Sequence, residues 1–422
     1  MKSSIAAAGL AWLGDTQKAY ALGTQSTLTG KTWQGWNPGE MQVHFIYTGV
    51  GESMFYIFPD GTTMLLDCGD HTAINRGKLA VHVLPNGNRH AGEWIARYVQ
   101  RVNPHNTQVD YMMLSHYHND HGGCKKFNAG TVELGGKQYY RSGFMQAAET
   151  LSFGKAFDRG WPDYTDPIPL VIDDGGVLDL MKDFYAYMIK ERGLQVERFN
   201  VGATNQIKLL HEPEKYSNFS IFNLCGNGRI ASRDGKVTDL YAERKNPAPT
   251  SFNENGMSLG MVMSYGDFRF FTAGDFSDKW KLADGTVFEI EDALADVCGK
   301  AHVAKINHHG HYSMPEKLVK ALQSRVYVSC VWDQLHNVAP VMERLASRKL
   351  YPGDRLICPG IMPAERRIED AGKPWVNTIA TESYEGSHIV LTVHPNCKDY
   401  TITFISAEDE DMNIKSVIPF TV

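Results

Sequence analysis

The chain has 422 residues, of which 43% are hydrophobic and 21% charged, with a formal net charge of -6. That balance excludes a disordered polyelectrolyte and a diffuse basic surface, so no stable nucleic-acid partner is expected. No apolar stretch approaches the roughly 18 residues that span a bilayer, so no transmembrane segment is expected either. The seven cysteines are odd in number and show no CxxC spacing, which points to neither a disulfide framework nor a zinc ribbon.

In chain order, Met1-Lys2-Ser3-Ser4 is followed by the apolar run from Ile5 to Leu13 and the small-x-small site Ala19-Tyr20-Ala21. A basic start, a short apolar stretch and such a site read as an export signal over residues 1–21, implying a periplasmic or secreted protein, although no twin-arginine pair is present. Residues 22–40 read as a linker and 41–422 as one domain. Met41 to Ile46, Met54 to Phe58 and Thr63 to Asp67 have strand character, with Pro59-Asp60-Gly61 turning between the last two. Ala91 to Val102 places Trp94, Ile95, Tyr98, Val99 and Val102 at helical spacing and leads into the apolar strand Val109 to Leu114.

Residues 125–200 carry many Gly and aromatic residues and read as an insertion over the site, containing a helix from Val177 to Arg192 closed by Gly193. Its Tyr139, Tyr140, Phe144, Phe153, Phe157, Trp161 and Tyr164 suggest either a lid that stacks on a substrate or the insertion's own core. Further strands are expected at Leu259 to Met263, Asp267 to Phe271, Val303 to Ile306, His388 to Val393 and Tyr400 to Phe404. Helices are expected at Glu316 to Gln323 and Val341 to Ser347. No fixed-period repeat is present.

The run Ser115-His116-Tyr117-His118-Asn119-Asp120-His121-Gly122-Gly123 puts three imidazoles and a carboxylate into six consecutive positions just after a strand. Buried His and Asp must be paired or ligated to be tolerated, so this is a metal-site pattern. His116 and His118 can point to one side of an extended segment, while Asp120 and His121 reach a second point after a turn. Two neighbouring divalent ions fit this layout, zinc best, with manganese or iron as alternatives. Thr272-Ala273-Gly274-Asp275 and Lys305-Ile306-Asn307-His308-His309-Gly310 also follow apolar strands, so Asp275 can bridge two ions and the histidine pair can add a ligand and an acid-base group.

His116-x-His118-x-Asp120-His121, Gly274-Asp275 and His308-His309-Gly310 together resemble the metallo-β-lactamase fold. Phe45 to Ser53, Leu66-Asp67-Cys68-Gly69-Asp70 and Asn255 to Ser258 further resemble the branch containing the ComEC hydrolase-like domain and teichoic-acid phosphorylcholine esterase. The resemblance covers roughly residues 41 to 345. It implies an α/β (α+β) chain folded as a four-layer αββα sandwich with two metals at the sheet edges. By the same resemblance His116 and His118 hold the first ion, Asp120, His121 and His309 the second, and Asp275 bridges. A third histidine for the first ion is usual, and His211 is the only one between the two motifs. His308 would face the substrate as an acid-base group alongside Asp120, and His336 falls where related proteins carry another pocket histidine.

Two dications sharing a hydroxide favour hydrolysis, and their residual positive charge favours an anionic phosphodiester. The expectation is a metal-dependent phosphodiesterase or phosphoesterase acting on a small-molecule or phosphodiester substrate. The same scaffold also serves lactone, β-lactam and thioester hydrolysis, and a metal-stabilised binding protein without turnover is the reading of another class.

Overall fold

The computed structural model describes residues 27–49, 51–70, 82–167, 175–240, 254–281, 284–333 and 335–422. The export signal expected at residues 1–21 lies outside them. Two large mixed sheets form the centre. One has nine strands in the order Ile414–Thr421, Asp399–Ser406, Ser387–Val393, Met41–Phe45, Met54–Ile57, Thr63–Leu66, Gln108–Met113, Ser152–Asp158 and Gln195–Arg198. The other has eight, in the order Val237–Asp239, Arg229–Ala231, Phe219–Gly226, Gly260–Tyr265, Phe268–Thr272, Val303–Lys305, Val326–Ser329 and Leu356–Pro359.

Alternation of side chains along each strand builds the layers, because successive residues face opposite sides of a sheet. Met64, Leu66, Tyr111 and Met113 from the first sheet meet Met261, Met263, Phe270 and Val303 from the second in one core. Leu65 and Met112 point the other way and pack against the helices Ala91–Val102, Gly143–Ala147 and Val177–Arg192. Val262, Phe271 and Ala304 likewise face the helices Ile290–Cys298, Glu316–Leu322 and Ala339–Ala346. The result is the four-layer αββα sandwich expected from the sequence resemblance.

Strand direction decides where the chemistry sits. Thr63–Leu66 pairs in parallel with Gln108–Met113, and Phe268–Thr272 in parallel with Val303–Lys305. The loops that follow all four strands therefore leave at the carboxyl ends of their sheets. Asp67, the histidine run at 116–121, Asp275 and His308-His309 all lie on those loops.

One expectation is corrected. Residues 125–200 are not a separate insertion over the site: Ser152–Asp158 pairs with Gln108–Met113, and Gln195–Arg198 pairs with Ser152–Asp158. Among the described residues of this span, the hairpin Thr131–Leu134 with Lys137–Tyr140 forms a separate two-stranded sheet. The aromatics of this span are mostly core, because Phe144, Phe153 and Tyr139 pack on the outer face of the sheet and Phe157 lies between the sheets. Of these, Tyr140 is the exposed one. The strands expected near the end of the chain join the first sheet: Ser387–Val393 pairs antiparallel with Met41–Phe45 and carries two more strands beside it. All seven cysteines are buried. Among the described residues no helix is long and apolar enough to cross a membrane.

Candidate metal centre

The histidine run is folded against the preceding strand loop by backbone contacts. The Glu52 N–H donates to the Asp120 carbonyl at 2.7 Å, and the Cys68 N–H to the His121 carbonyl at 2.7 Å. Gly69 sits inside this lattice, where a Cβ would lie 1.8 Å from the Asp120 carbonyl oxygen, so only glycine fits. A short turn at Asn119–Gly122 swings Asp120 and His121 away from the extended His116 and His118. Gly274 has φ +53 and is wedged between Ser115 and Ser258, which aims Asp275 at the same point. His308 and His309 have φ 46 and 47, a left-handed conformation that L-residues enter at a cost of about 1–2 kcal/mol each. The His309 carbonyl is held by the Asn337 N–H at 2.8 Å.

These loops bring the donors together. Nε2 of His121 lies 3.1 Å from Nε2 of His309 and 3.1 Å from Oδ2 of Asp275. Nε2 of His309 is 3.3 Å from the same Asp275 oxygen and 3.5 Å from Oδ2 of Asp120. A tetrahedral ion with bonds of about 2.0–2.1 Å separates its ligand atoms by roughly 3.3–3.4 Å, so these spacings fit the edges of one coordination shell. Beside it, His116 Nε2 and His118 Nδ1 are 3.0 Å apart, and Asp275 Oδ2 is 3.9 Å from His116 Nε2. One Asp275 oxygen thus faces both groups.

The far sides of the rings are held as in metal sites, where an outer carboxylate fixes the tautomer and raises ligand basicity. Asp67 Oδ2 lies 2.7 Å from His121 Nδ1, and the Asp67 carboxylate also accepts from the Ser115 N–H and hydroxyl, each at 2.7 Å. Glu52 Oε2 lies 3.0 Å from His309 Nδ1 and 2.9 Å from the buried Lys305 Nζ. Lys305 also donates to Asp275 Oδ1 at 3.3 Å and to the Gly274 carbonyl at 2.7 Å. Asp275 is therefore gripped through one oxygen while the other faces the donors.

The local field favours a cation. Burial works against the His121 charge, yet Asp275, Asp67 and Asp120 push the imidazole up to about 10. Burial also opposes ionisation of Asp275, but His309, His121 and Lys305 hold its carboxyl well below the usual range. His116, dominated by burial and facing His121 and His118, is depressed and stays neutral, as a ligand must be.

His308 stands at the rim, with Nδ1 2.9 Å from the Ser277 hydroxyl and Nε2 3.1 Å from the Asn255 amide. Burial pushes it down to about 4, so this environment favours the neutral ring over a stored proton. His336 is buried with its ring 4.8 Å from that of His309, and its Nδ1 lies 3.1 Å from Asp333. It lines the back of the centre. His211 is not brought to the centre. Its Nε2 lies 3.7 Å from Asp110, near the opposite end of the strand that leads to His116. The crossing from the first sheet to the second passes that end, so the first ion gains no third histidine from it.

Sequence reasoning assigned no role to Glu52, Asp67, Lys305, Ser277 or Asn255. Asp67 did carry a signal, because it follows an apolar strand as Asp275 does. Asn255 is held in place by its neighbour: Glu254 forms a buried bidentate pair with Arg159 at 2.5 and 2.6 Å and accepts the Tyr117 N–H at 3.0 Å. That pair ties the rim to the histidine run.

No protein-family model matches the chain, and no curated protein matches it. Among solved structures it is similar to CmlA, a diiron β-hydroxylase from Streptomyces venezuelae, at 13% identity and a TM-score of 0.37, over 76% of this chain and 53% of that one. The match spans about half of that protein's length. It is also similar to the short form of human tRNase Z at 11% identity and a TM-score of 0.31, over 70% of this chain and 95% of that one.

Proposed function

We propose that this protein is a metal-dependent hydrolase that cleaves a phosphodiester. The observation that carries this reading is the spacing of His121, His309 and Asp275 at the edges of one coordination shell, with Asp120 3.5 Å from His309 and with His116 and His118 beside them. His116, His118 and Asp275 would hold one ion, and Asp120, His121 and His309 a second, with Asp275 shared. Two bound divalent ions, zinc by the donor set, would supply Lewis acidity, lowering the pKa of a shared water and neutralising charge on a phosphoryl group.

The chain's own groups set the charge of the site. With Glu52, Asp67, Asp120 and Asp275 all ionised, Lys305 and two dications would leave it at +1 with a neutral water and at zero with a hydroxide. An anionic substrate therefore meets no net negative charge, and its phosphoryl oxygens would contact the ions themselves, which supports phosphodiesters over neutral lactones or amides. Lys305 orients Asp275, Glu52 and Asp67 orient His309 and His121, and Ser277 with Asn255 fix the ring plane of His308 where a leaving group would depart.

The test is hydrolysis of bis(p-nitrophenyl) phosphate by zinc-loaded protein, with Asp120→Ala and His309→Ala as controls. Activity in the parent and its loss in both variants is expected. Two ions bound with no hydrolysis would overturn the phosphodiester reading and bring lactones, β-lactams and thioesters forward.

A further inference from the structure

We propose that His105, Asp110 and His211 form a second, solvent-accessible site for a divalent transition ion of the zinc type. It lies at the opposite end of the first sheet from the centre described above. One ligand atom from each of the three residues lies within 4.8 Å of the others. Asp110 and His116 are six positions apart along the strand and its exit loop, a separation of about 20 Å at the usual rise.

Each donor is set by its surroundings. The His105 Nε2 lies 2.9 Å from the Gly61 carbonyl, which only accepts, so Nε2 carries the proton and Nδ1 keeps its lone pair. A ring N–H given to a backbone carbonyl is the arrangement found behind metal-ligating imidazoles. The Asp110 Oδ2 is fixed by the Thr63 N–H at 2.8 Å and its hydroxyl at 3.1 Å. The His211 backbone N–H is fixed by Asp60 at 2.8 Å, and its ring lies 4.9 Å from that of His105. The His211 side chain is 39% exposed, so an ion and its water can enter. Two imidazoles and one carboxylate with an open position match the three-ligand zinc pattern, and they suit no hard cation such as calcium, which prefers oxygen alone.

The three residues come from different segments: the loop before the strand Gln108–Met113, that strand itself, and the crossing from the first sheet to the second. An ion here would pin the crossing segment to the first sheet. It would stabilise the fold by linkage without touching the hydrolytic centre.

Equilibrium dialysis of the full chain against buffered free Zn2+, followed by metal counting, tests the site on wild type, His211→Ala and His105→Ala. Each variant is expected to bind one equivalent fewer than wild type, to show a smaller zinc-induced rise in melting temperature, and to keep the wild-type rate on bis(p-nitrophenyl) phosphate. If either variant fails to give a native circular dichroism spectrum, Asp110→Asn, which keeps an acceptor for Thr63, takes its place. Unchanged zinc equivalents in the folded variants would overturn the proposal and leave the trio as a hydrogen-bonded surface cluster.

Discussion

Replacing Lys305 with Met isolates the contribution of the lysine ammonium buried in the centre. The ammonium is fully enclosed and reaches Gly274 carbonyl at 2.7 Å, Glu52 at 2.9 Å and Asp275 at 3.3 Å. Methionine fills nearly the same volume, so no cavity term enters. The Gly274 carbonyl is not orphaned either, because the His308 N–H also donates to it at 3.2 Å. What remains is the loss of one partner from a buried ion pair, about 3–5 kcal/mol. For a chain of 422 residues, an unfolding entropy of roughly 2 cal/mol/K per residue converts this to a fall of about 4–6 °C in melting temperature, if unfolding is one cooperative step. The assay is thermal unfolding followed by circular dichroism, in excess chelator and again with zinc. In chelator the His121 and His309 rings, both pushed up by the surrounding carboxylates, still face Asp275 and Glu52, so the drop there should fall towards the lower end of that range. The double variant Lys305→Met/Glu52→Gln should recover part of it, since only Asp275 is then left without its lysine partner. A Lys305→Met protein that melts within about 1 °C of wild type in chelator would refute this reasoning.

Asp67→Asn should weaken zinc binding by about 10–100-fold, read by competition with a chromophoric chelator, because the amide no longer draws the His121 Nδ1 proton as a carboxylate does. Gly69→Ala should lower activity more than it lowers stability, since its Cβ collides with the Asp120 carbonyl and moves a ligand; unaltered kinetics would contradict the packing. Glu291, buried beneath the histidine loop and bonded to Asn307 and Met314, is pushed up to about 8 by its burial. Between its unfolded value near 4.5 and about 8 the folded state binds more protons, so stability falls as pH rises through that window. Glu291→Gln should therefore flatten the pH dependence of the melting temperature and gain on wild type towards pH 8 and above, whereas parallel profiles would show that Glu291 ionises normally.

Much of this protein is local and therefore written in the chain. The helix Ala91–Val102 and the helix Val177–Arg192, closed by Gly193 in a left-handed conformation, occur where apolar periodicity and capping place them. The donors at 116–121, 275 and 309 are legible for the same reason, because each cluster follows a short apolar strand that delivers it to a loop. Ser152–Asp158 alternates over its first three residues and then runs buried from Ala156 to Asp158, so its place inside the first sheet is not readable from pattern alone.

Only the tertiary structure decides which distant side chains meet. Asp67 reaches His121 across 54 positions and Glu52 reaches Lys305 from the other sheet, contacts that no periodicity encodes. His211 shows the converse: sequence offers it as a ligand because of its residue type and interval, but the crossing between the sheets carries it to the far end of the strand, beside His105 and Asp110. Residue type and spacing determine what chemistry a segment can do. Strand direction and register determine which edge of the sandwich it does it on, because a parallel pair sends both carboxyl ends one way and their amino ends the other.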